Sequence, residues 1–460
     1  MKPSAAGRAA TIGLTLLGLL AGLLLVPGES AGAQENRRPN VVVVMTDDQE
    51  ARSIRHMRSV KRLVGERGTR FENFFATFPL CCPSRATFLT GQYAHNHGVL
   101  SGKGADDLDD SRTLAVRLRR AGYRTGFLGK YLNGFSGPAT PPGWDVWARL
   151  AGSKMYGYGL VENGRHVVYG EQPRDYLTDT LARKATRFIG RSRRSRPFFL
   201  TVAPLAPHGE PNVKARRNPR PAERDRRAFE DARLPSPPSF NERDMSDKPP
   251  QMQRQPLLTR RSRRKLREHY QDRLASLLAV DDLVRKVVKR LRRSGELAST
   301  VIMITSDNGF LLGEHRVKGK KRLYEESVRV PLVMSGPRIP ADQSRRQIAG
   351  NIDLAPTILD LANVSGARGM DGRSLLPLAN DPAVAADREI LFRNANSTAI
   401  RTPNFMYADH KRGASELYDM RRDPFQLNSL HQDPRFQDEK AELARRLDRL
   451  ETCAADSCRR

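Results

Sequence analysis

The chain is short of cysteine, of acid and of long apolar runs. Four cysteines in 460 residues exclude a disulfide-stapled scaffold, so the fold must rest on an ordinary buried core. Cys453 and Cys458, in the terminal CAADSC, are spaced to close one small loop. That leaves Cys81 and Cys82 side by side in FPLCCPSRATFLTGQY, and adjacent cysteines rarely bond to each other without backbone strain. Acidic residues number 51 against 79 basic ones, a net charge of +28. Such an excess concentrates anions, among them sulfated or phosphorylated polymers. The basic residues run through the whole chain, so the excess also reads as arginine used for solubility. A single apolar run, TIGLTLLGLLAGLLLV at 11–26, approaches spanning length. It follows a weakly basic start and precedes the small residues of PGESAGA. That order reads as a signal peptide cleaved after Ala33, or as the same segment kept as an anchor. Either reading places the protein outside the cytoplasm, secreted, extracellular or in the cell envelope, touching membrane only through that segment.

What is present is an alternation of strands and helices. NVVVVMTDDQE (40–50), RPFFLTVAPLAPH (196–208) and STVIMITSDNGF (299–310) are apolar runs that end in polar or ionisable residues. Runs without alternation suit strands buried on both faces of a parallel sheet, and open α/β sheets hold ligands at the carboxyl ends of such strands. Helical spacing is predicted for 113–123, 269–295 and 351–364. The order argues for one large α/β domain over 38–385. Residues 209–265 shift to Pro, Arg and charge and read as a basic surface excursion. Short segments after about 390 suggest an antiparallel sheet in a smaller C-terminal subdomain, 386–460, closed by a helix over DEKAELARRLDRL. No internal repeat is visible.

CCPSRATFLTG (81–91) carries the pattern Cys-x-Pro-Ser-Arg followed by Thr-Gly. With several separated motifs over most of the chain, it resembles the type I sulfatases of the alkaline-phosphatase-like superfamily. The resemblance implies a large mixed sheet sandwiched by helices. It also implies that a formylglycine-generating enzyme oxidises Cys81 to formylglycine (3-oxoalanine), with Cys82 at the variable position. The chemistry explains the choice of residue. A hydrated aldehyde has two hydroxyls on one carbon, so one can attack the sulfur of a sulfate ester and release the alcohol. Loss of the second hydroxyl's proton then re-forms C=O and expels sulfate, which serine could not do.

Such a site needs a cation. Asp47 and Asp48 end the first strand, and Asp307 and Asn308 end VIMITSDNG. All-oxygen ligands suit a hard ion, Ca²⁺ before Mg²⁺, and in the family the matching positions, with the residue at Cys81, hold the metal. By the same resemblance Arg85 fixes the nucleophile's surroundings. Lys130, in GYRTGFLGKYLNGF, and Lys320, four residues before Tyr324, contact sulfate, and His208 serves the leaving oxygen. Many sulfatases carry histidine two residues after the Lys130 equivalent. Leu132 stands there, a form similar to the N-acetylglucosamine-6-sulfatase branch. His315 is then expected to contact substrate or take a proton, or to be a surface histidine. SELYDMRRDPFQLNSL (415–430) resembles the family's closing motif.

The expected function is a sulfuric ester hydrolase acting on a sulfated small molecule or polysaccharide, possible targets including amino sugars. A phosphodiesterase or phosphonate monoester hydrolase of the same superfamily is the alternative enzyme. A non-catalytic polyanion-binding protein is the alternative of another class. No specific nucleic-acid site is expected. Loops 136–170 and 209–265 are expected to set specificity.

Overall fold

The computed structural model describes residues 38–459, except 138–139, 193–194, 211–217, 366 and 412. The candidate signal segment lies outside the described residues. Among these, no helix is long and apolar enough to cross a membrane.

Unalternating apolar runs become strands covered on both faces, as their composition demands. Ten strands form the main sheet. In chain order they are β1 (Asn40–Thr46), β2 (Gly68–Phe71), β3 (Arg124–Gly129), β4 (Val146–Ala151), β5 (Gly159–Glu162), β6 (Arg165–Val168), β7 (Phe198–Ala203), β8 (Thr300–Ser306), β9 (Leu332–Ser335) and β10 (Gln343–Arg345). Their spatial order is β10-β2-β9-β8-β1-β7-β3-β4-β5-β6. The centre, β8-β1-β7-β3-β4, is parallel, while β9, β5 and β6 run against their neighbours. The sheet is therefore mixed, and β1 sits in its middle with all seven residues buried.

Helices cover both faces. They include α1 (Cys81–Thr90), α2 (Leu114–Arg120), α3 (Leu177–Gly190), α4 (Arg260–Arg293) and α5 (Leu354–Leu361), while α6 (Gln437–Thr452) packs on the C-terminal strands. Val41, Val43 and Met45 pack with Phe88 and Leu89 of α1, Leu118 of α2 and Ile358 of α5. Val42 and Val44 pack on the other face with Leu181 and Phe188 of α3 and Leu283 and Val287 of α4. Alternate residues of one strand thus serve two cores, which is why its sequence shows no polar alternation.

The C-terminal strands β11 (Ile390–Arg393), β12 (Ser397–Arg401), β13 (Phe405–His410) and β14 (Ala414–Asp419) form a consecutive antiparallel sheet. Its buried residues share a cluster with Phe75, Leu311 and Tyr324 from earlier in the chain, and Arg38–Arg460 form one compact unit. Cys453 and Cys458 are disulfide-bonded. The Cys453 carbonyl accepts hydrogen bonds from Asn96 Nδ2 (2.9 Å) and pairs with His95 Nε2 (2.9 Å).

Two sequence expectations shift. Helix α4 starts at Arg260, nine residues before the expected 269, capped by Thr259 Oγ1 accepting from Ser262 N at 3.2 Å. Its first two turns are basic and largely exposed, so they carry no apolar period to read. Nor does the 209–265 segment lie wholly on the surface, since Glu210, Ser239, Glu242, Met245, Lys248 and Met252 are buried.

Helix α1 enters from Leu80 in extended backbone and ends at Gly91, whose φ of 67° is a left-handed cap. Asn351 fixes its start. Its Oδ1 accepts from Thr77 N (3.0 Å) and Thr77 Oγ1 (3.2 Å), and its Nδ2 donates to Ser84 Oγ (2.8 Å) and Ser84 O (3.1 Å). All four contacts are buried, so Asn351→Leu would leave the Thr77 amide without its partner. The expected loss is about 1–3 kcal/mol of unfolding free energy, read as a lower urea midpoint at unchanged slope; an unchanged midpoint would show that Asn351 does not brace α1.

Candidate active site

The carboxyl ends of β1, β3, β7 and β8 meet at one place, and each delivers an ionisable group. Asp47 and Asp48 follow β1, Lys130 follows β3, His208 follows β7 after a short turn, and Asp307 and Asn308 follow β8. The strand ends approach closely. Gly129 has φ +114°, and a Cβ there would lie 2.0 Å from the Ala203 carbonyl oxygen. Only glycine allows this contact, and the next amide, Lys130 N, donates to Ala203 O at 2.8 Å. Asp48 takes a left-handed φ of 67°, and its amide donates to Asp307 Oδ1 at 3.0 Å. The Asp47–Asp48 and Asp307–Asn308 pairs are thereby tied together.

Cations face the carboxylates. Lys130 Nζ is bonded to Asp47, and Lys320 Nζ to Asp48. Arg85 Nε donates to Asp307 Oδ2 at 2.8 Å and its Nη1 to the Lys130 carbonyl at 2.5 Å. Asn308 Nδ2 donates to Asp48 Oδ1 at 2.7 Å. His208 Nε2 lies 3.7 Å from Asp48 Oδ2, with 21% of its side chain exposed. Arg273, fully buried, donates to the Asp48 carbonyl and pairs with Glu50, anchoring the site to α4.

Burial alone would raise the Asp47 carboxyl, but the Lys130 charge and the more distant His208 and Arg85 hold it well below the usual range. Asp48 likewise goes down, its burial outweighed by Lys320. Asp307 goes the other way, pushed up to about 6 by burial and the Asp47 charge despite Arg85. The Lys130 and Lys320 ammoniums, buried against carboxylates, are held above their ordinary value. Burial lowers the His208 imidazole, with Asp47 and Asp48 opposing.

Cys81 opens α1 at the mouth of this cluster. Lys320 Nζ is 3.6 Å and Asn133 Nδ2 3.5 Å from its Sγ. Cys82 turns away, its Sγ 3.7 Å from the Asn133 carbonyl, and burial beside Cys81 pushes its thiol up to about 12. The two cysteines therefore have different chemistry despite their adjacency.

The donor set fits a hard cation. Asp47 Oδ1 and Asn308 Oδ1 are buried with no hydrogen-bond partner, which is costly unless something else satisfies them. Ligand atoms of Asp47, Cys81 and Asp307 lie within 4.8 Å of one another, as do those of Asp47, Asp48 and His208. The chemistry is oxygen-dominated, as calcium prefers.

Asp47, Asp48, Cys81, Arg85, Lys130, His208, Asp307, Asn308 and Lys320 thus stand together. His315 does not join them. It is completely buried, its Nδ1 paired with Glu242 at 2.7 Å and its ring stacked 4.0 Å from Tyr324. The expected substrate contact is corrected to a packing role, because the backbone at φ 48°, with His315 N donating to Ser239 O, turns the ring into the core. Leu132 is buried in the apolar cluster around α1, so its position offers no proton acceptor. Asn133, beside Cys81, is a site residue not anticipated from the motif; its signal was an amide three residues after Lys130 in GKYLNGF.

Asn133→Ala removes the donor beside the Cys81 sulfur and opens space there. Catalytic positioning losses of this kind reach roughly 10²-fold, so kcat/KM of the matured protein toward a sulfate ester is expected to fall by about that factor. Thermal unfolding should move little, and unaltered kinetics would remove Asn133 from the site.

The sulfatase family model matches residues 39–364, and the model of the N-sulphoglucosamine sulphohydrolase C-terminal region matches 313–453. The chain is 38% identical over 384 residues to the human N-acetylglucosamine-6-sulfatase, covering 79% of this chain and 68% of that protein. It is 35% identical to the Drosophila melanogaster extracellular sulfatase SULF-1 homologue, covering 76% of this chain and 32% of that protein. It therefore spans about two thirds of the first relative and about one third of the second. A protein solved in complex with its substrate D-glucosamine-2-N,6-O-disulfate superposes with a TM-score of 0.77 at 26% identity, covering 92% of this chain and 98% of that one. The fold is the alkaline-phosphatase-like one that the resemblance implied, and the chain belongs to the sulfatase family.

Proposed function

We propose that this sulfatase hydrolyses sulfate esters of glucosamine units, at the 6-O position, in a sulfated sugar or polysaccharide outside the cytoplasm. The carrying observation is Cys81, at the start of α1, held between Lys320 and Asn133 beside a carboxylate cluster with two unpartnered oxygens. The names of the human relative and of the glucosamine disulfate complex support the sugar and the position. The extracellular sulfatase relative supports export.

Cys81 Sγ marks where the oxygen of formylglycine would stand after maturation, and that group would supply a hydrated aldehyde as nucleophile and as the means of expelling sulfate. Asp47, Asp48, Asp307 and Asn308 would hold calcium, which supplies positive charge to draw in the sulfate and acidify the nucleophile. The chain's own residues do the rest. Arg85 holds Asp307 in place and Lys130 through its carbonyl. Lys130 and Lys320 bring fixed positive charge to the oxygens of a bound ester, where developing negative charge is stabilised without reorganisation. His208, partly exposed beside Asp48, stands at the rim, where it can give a proton to the departing alcohol. The carboxylates favour its protonated form and burial opposes it, so an anionic ester entering the site would help it hold that proton.

Release of sulfate from N-acetylglucosamine-6-sulfate, measured beside hydrolysis of phosphate diesters and phosphonate monoesters with Cys81→Ala as control, tests the reading. Sulfate release lost in the control supports it. Preference for the phosphorus esters would replace it with the alternative hydrolase, and inactivity on all of them would favour polyanion binding alone.

Mass spectrometry of the peptide containing both cysteines is expected to show the CH2–SH of Cys81 converted to an aldehyde CH=O, with sulfur and two hydrogens lost and one oxygen gained, and an intact thiol at Cys82. The reverse assignment would contradict the geometry. His208→Ala should cost sugar sulfates most of the roughly 10²–10⁴-fold that a general acid contributes, and activated phenyl sulfates far less. The comparison is made on kcat/KM; equal losses would make His208 a binding residue.

A further inference from the structure

The closing motif SELYDMRRDPFQLNSL supplies no residue to the sulfatase site, yet its first residues complete a hydrogen-bonded chain on the C-terminal sheet. Antiparallel register sets Ser397 of β12 opposite His410 of β13. It sets Glu416 of β14 opposite Ala408, which shares a face with His410. Ser397 Oγ lies 2.7 Å from His410 Nδ1, and His410 Nε2 lies 2.7 Å from Glu416 Oε2. The other carboxylate oxygen, Oε1, accepts from the Tyr324 hydroxyl at 2.8 Å and the Tyr418 hydroxyl at 2.5 Å.

These partners fix the protons. Burial would raise the Glu416 carboxyl, but His410 and the two tyrosine hydroxyls outweigh it and hold the group below its ordinary value. An ionised carboxylate only accepts, so His410 Nε2 carries the hydrogen and Nδ1 keeps the lone pair. Ser397 then donates its hydroxyl hydrogen to Nδ1. Nucleophile, base and orienting carboxylate thus stand in the order that activates a serine, an arrangement defined by roles and geometry and not by sequence position.

A mere brace would need no access, but Ser397 and His410 both line three cavities, of about 20, 310 and 850 Å³. The smallest is walled by Met252, Leu323, Met406 and Ala408, and its volume suits a group about the size of one water. A methyl fits there and a longer chain does not. Arg322 lines the same cavity, where its positive charge can face a developing oxyanion. Of the sulfatase site only Lys320 reaches any of the three, in the largest.

We propose that Ser397, His410 and Glu416 form a second hydrolytic site, independent of Cys81, that cleaves acetyl esters. Ser397 Oγ bonds to the ester carbonyl carbon as its proton passes to His410 Nδ1, and Glu416 balances the imidazolium. The bond from that carbon to the alcohol oxygen then breaks, and His410 returns the proton to the departing alcohol. Water attacks the acetyl-serine, giving a proton to His410. Acetate leaves, and that proton returns to Ser397. The acetyl methyl occupies the smallest cavity and the alcohol portion the larger ones.

The test uses the full chain carrying Cys81→Ala, which removes the sulfatase nucleophile. The protein is treated with a fluorophosphonate, and peptide mass spectrometry locates the adduct. Hydrolysis of 4-methylumbelliferyl acetate and hexanoate is followed beside it. A single phosphonyl group on Ser397 is expected, with the acetate cleaved roughly tenfold faster than the hexanoate or more. Adding Ser397→Ala or His410→Gln should lower kcat/KM for the acetate by about 10²–10⁴-fold, the range a positioned base supplies. The adduct is read with Ser397, His410 and Glu416 all in place, so it does not depend on how those variants fold. An unlabelled Ser397, or acetate hydrolysis that Ser397→Ala leaves unchanged, would overturn the site and leave the three residues as a brace of the C-terminal sheet. With Cys81 absent from every sample, neither outcome bears on the sulfatase reading.

Discussion

The structure depends on holding three carboxylates at the ends of two adjacent buried strands. Asp47, Asp48 and Asp307 are all buried within hydrogen-bonding reach of one another's loops, an arrangement that repulsion would disrupt if it stood alone. Lys130, Lys320 and Arg85 answer it one for one. The match is incomplete at the atomic level, because Asp47 Oδ1, Asn308 Oδ1 and Arg85 Nη2 have no partner. Removing any one charge would leave its partner buried and unpaired, a loss of about 3–5 kcal/mol. The same residues are therefore bound by stability and by chemistry.

The architecture serves this balance. Parallel strands bring their carboxyl ends to one edge, and close packing at Gly129 brings Lys130 against Ala203. Helix α1 enters from the other side, braced by Asn351. Ser84 is bonded to the Asp307 carbonyl and Arg85 to the Asp307 side chain. One residue pair in α1 thus grips both backbone and side chain of Asp307, which fixes Cys81, three residues earlier than Ser84, relative to the cluster. From α4, Arg273 holds the Asp48 carbonyl and pairs with Glu50.

Much of this could be read from sequence because its signals are local. Unalternating runs ending in acid named β1 and β8, and the spacing within CCPSRATFLTG named Cys81 and Arg85. Lys130 and His208 were legible through motifs at the ends of strands, and Lys320 through its spacing from Tyr324. What escaped reading depends on distant partners. Asn133 matters because α1 lies beside it, Asn351 because two segments need its amide, and Arg273 because α4 crosses behind Asp48. His315 failed for the converse reason. Its place shortly after the metal residues suggested the site, but Glu242, 73 residues away in sequence, and Tyr324 hold it in the core. The buried part of 209–265 was hidden by composition, since Glu242 and Lys248 are charged residues that pair with each other at 3.2 Å in the interior.

A hard cation would complete the unpartnered oxygens of Asp47 and Asn308. Thermal unfolding of the exhaustively chelated protein, with and without added Ca²⁺ or Zn²⁺, tests it without requiring maturation or substrate. An ion bound only by the folded state adds about 2.7 kcal/mol at a hundredfold excess over its Kd. The account predicts that calcium raises the unfolding temperature, that zinc does so less, and that Asp47→Asn with Asn308→Leu abolishes the calcium effect. An unfolding temperature indifferent to calcium in the wild-type protein would contradict it.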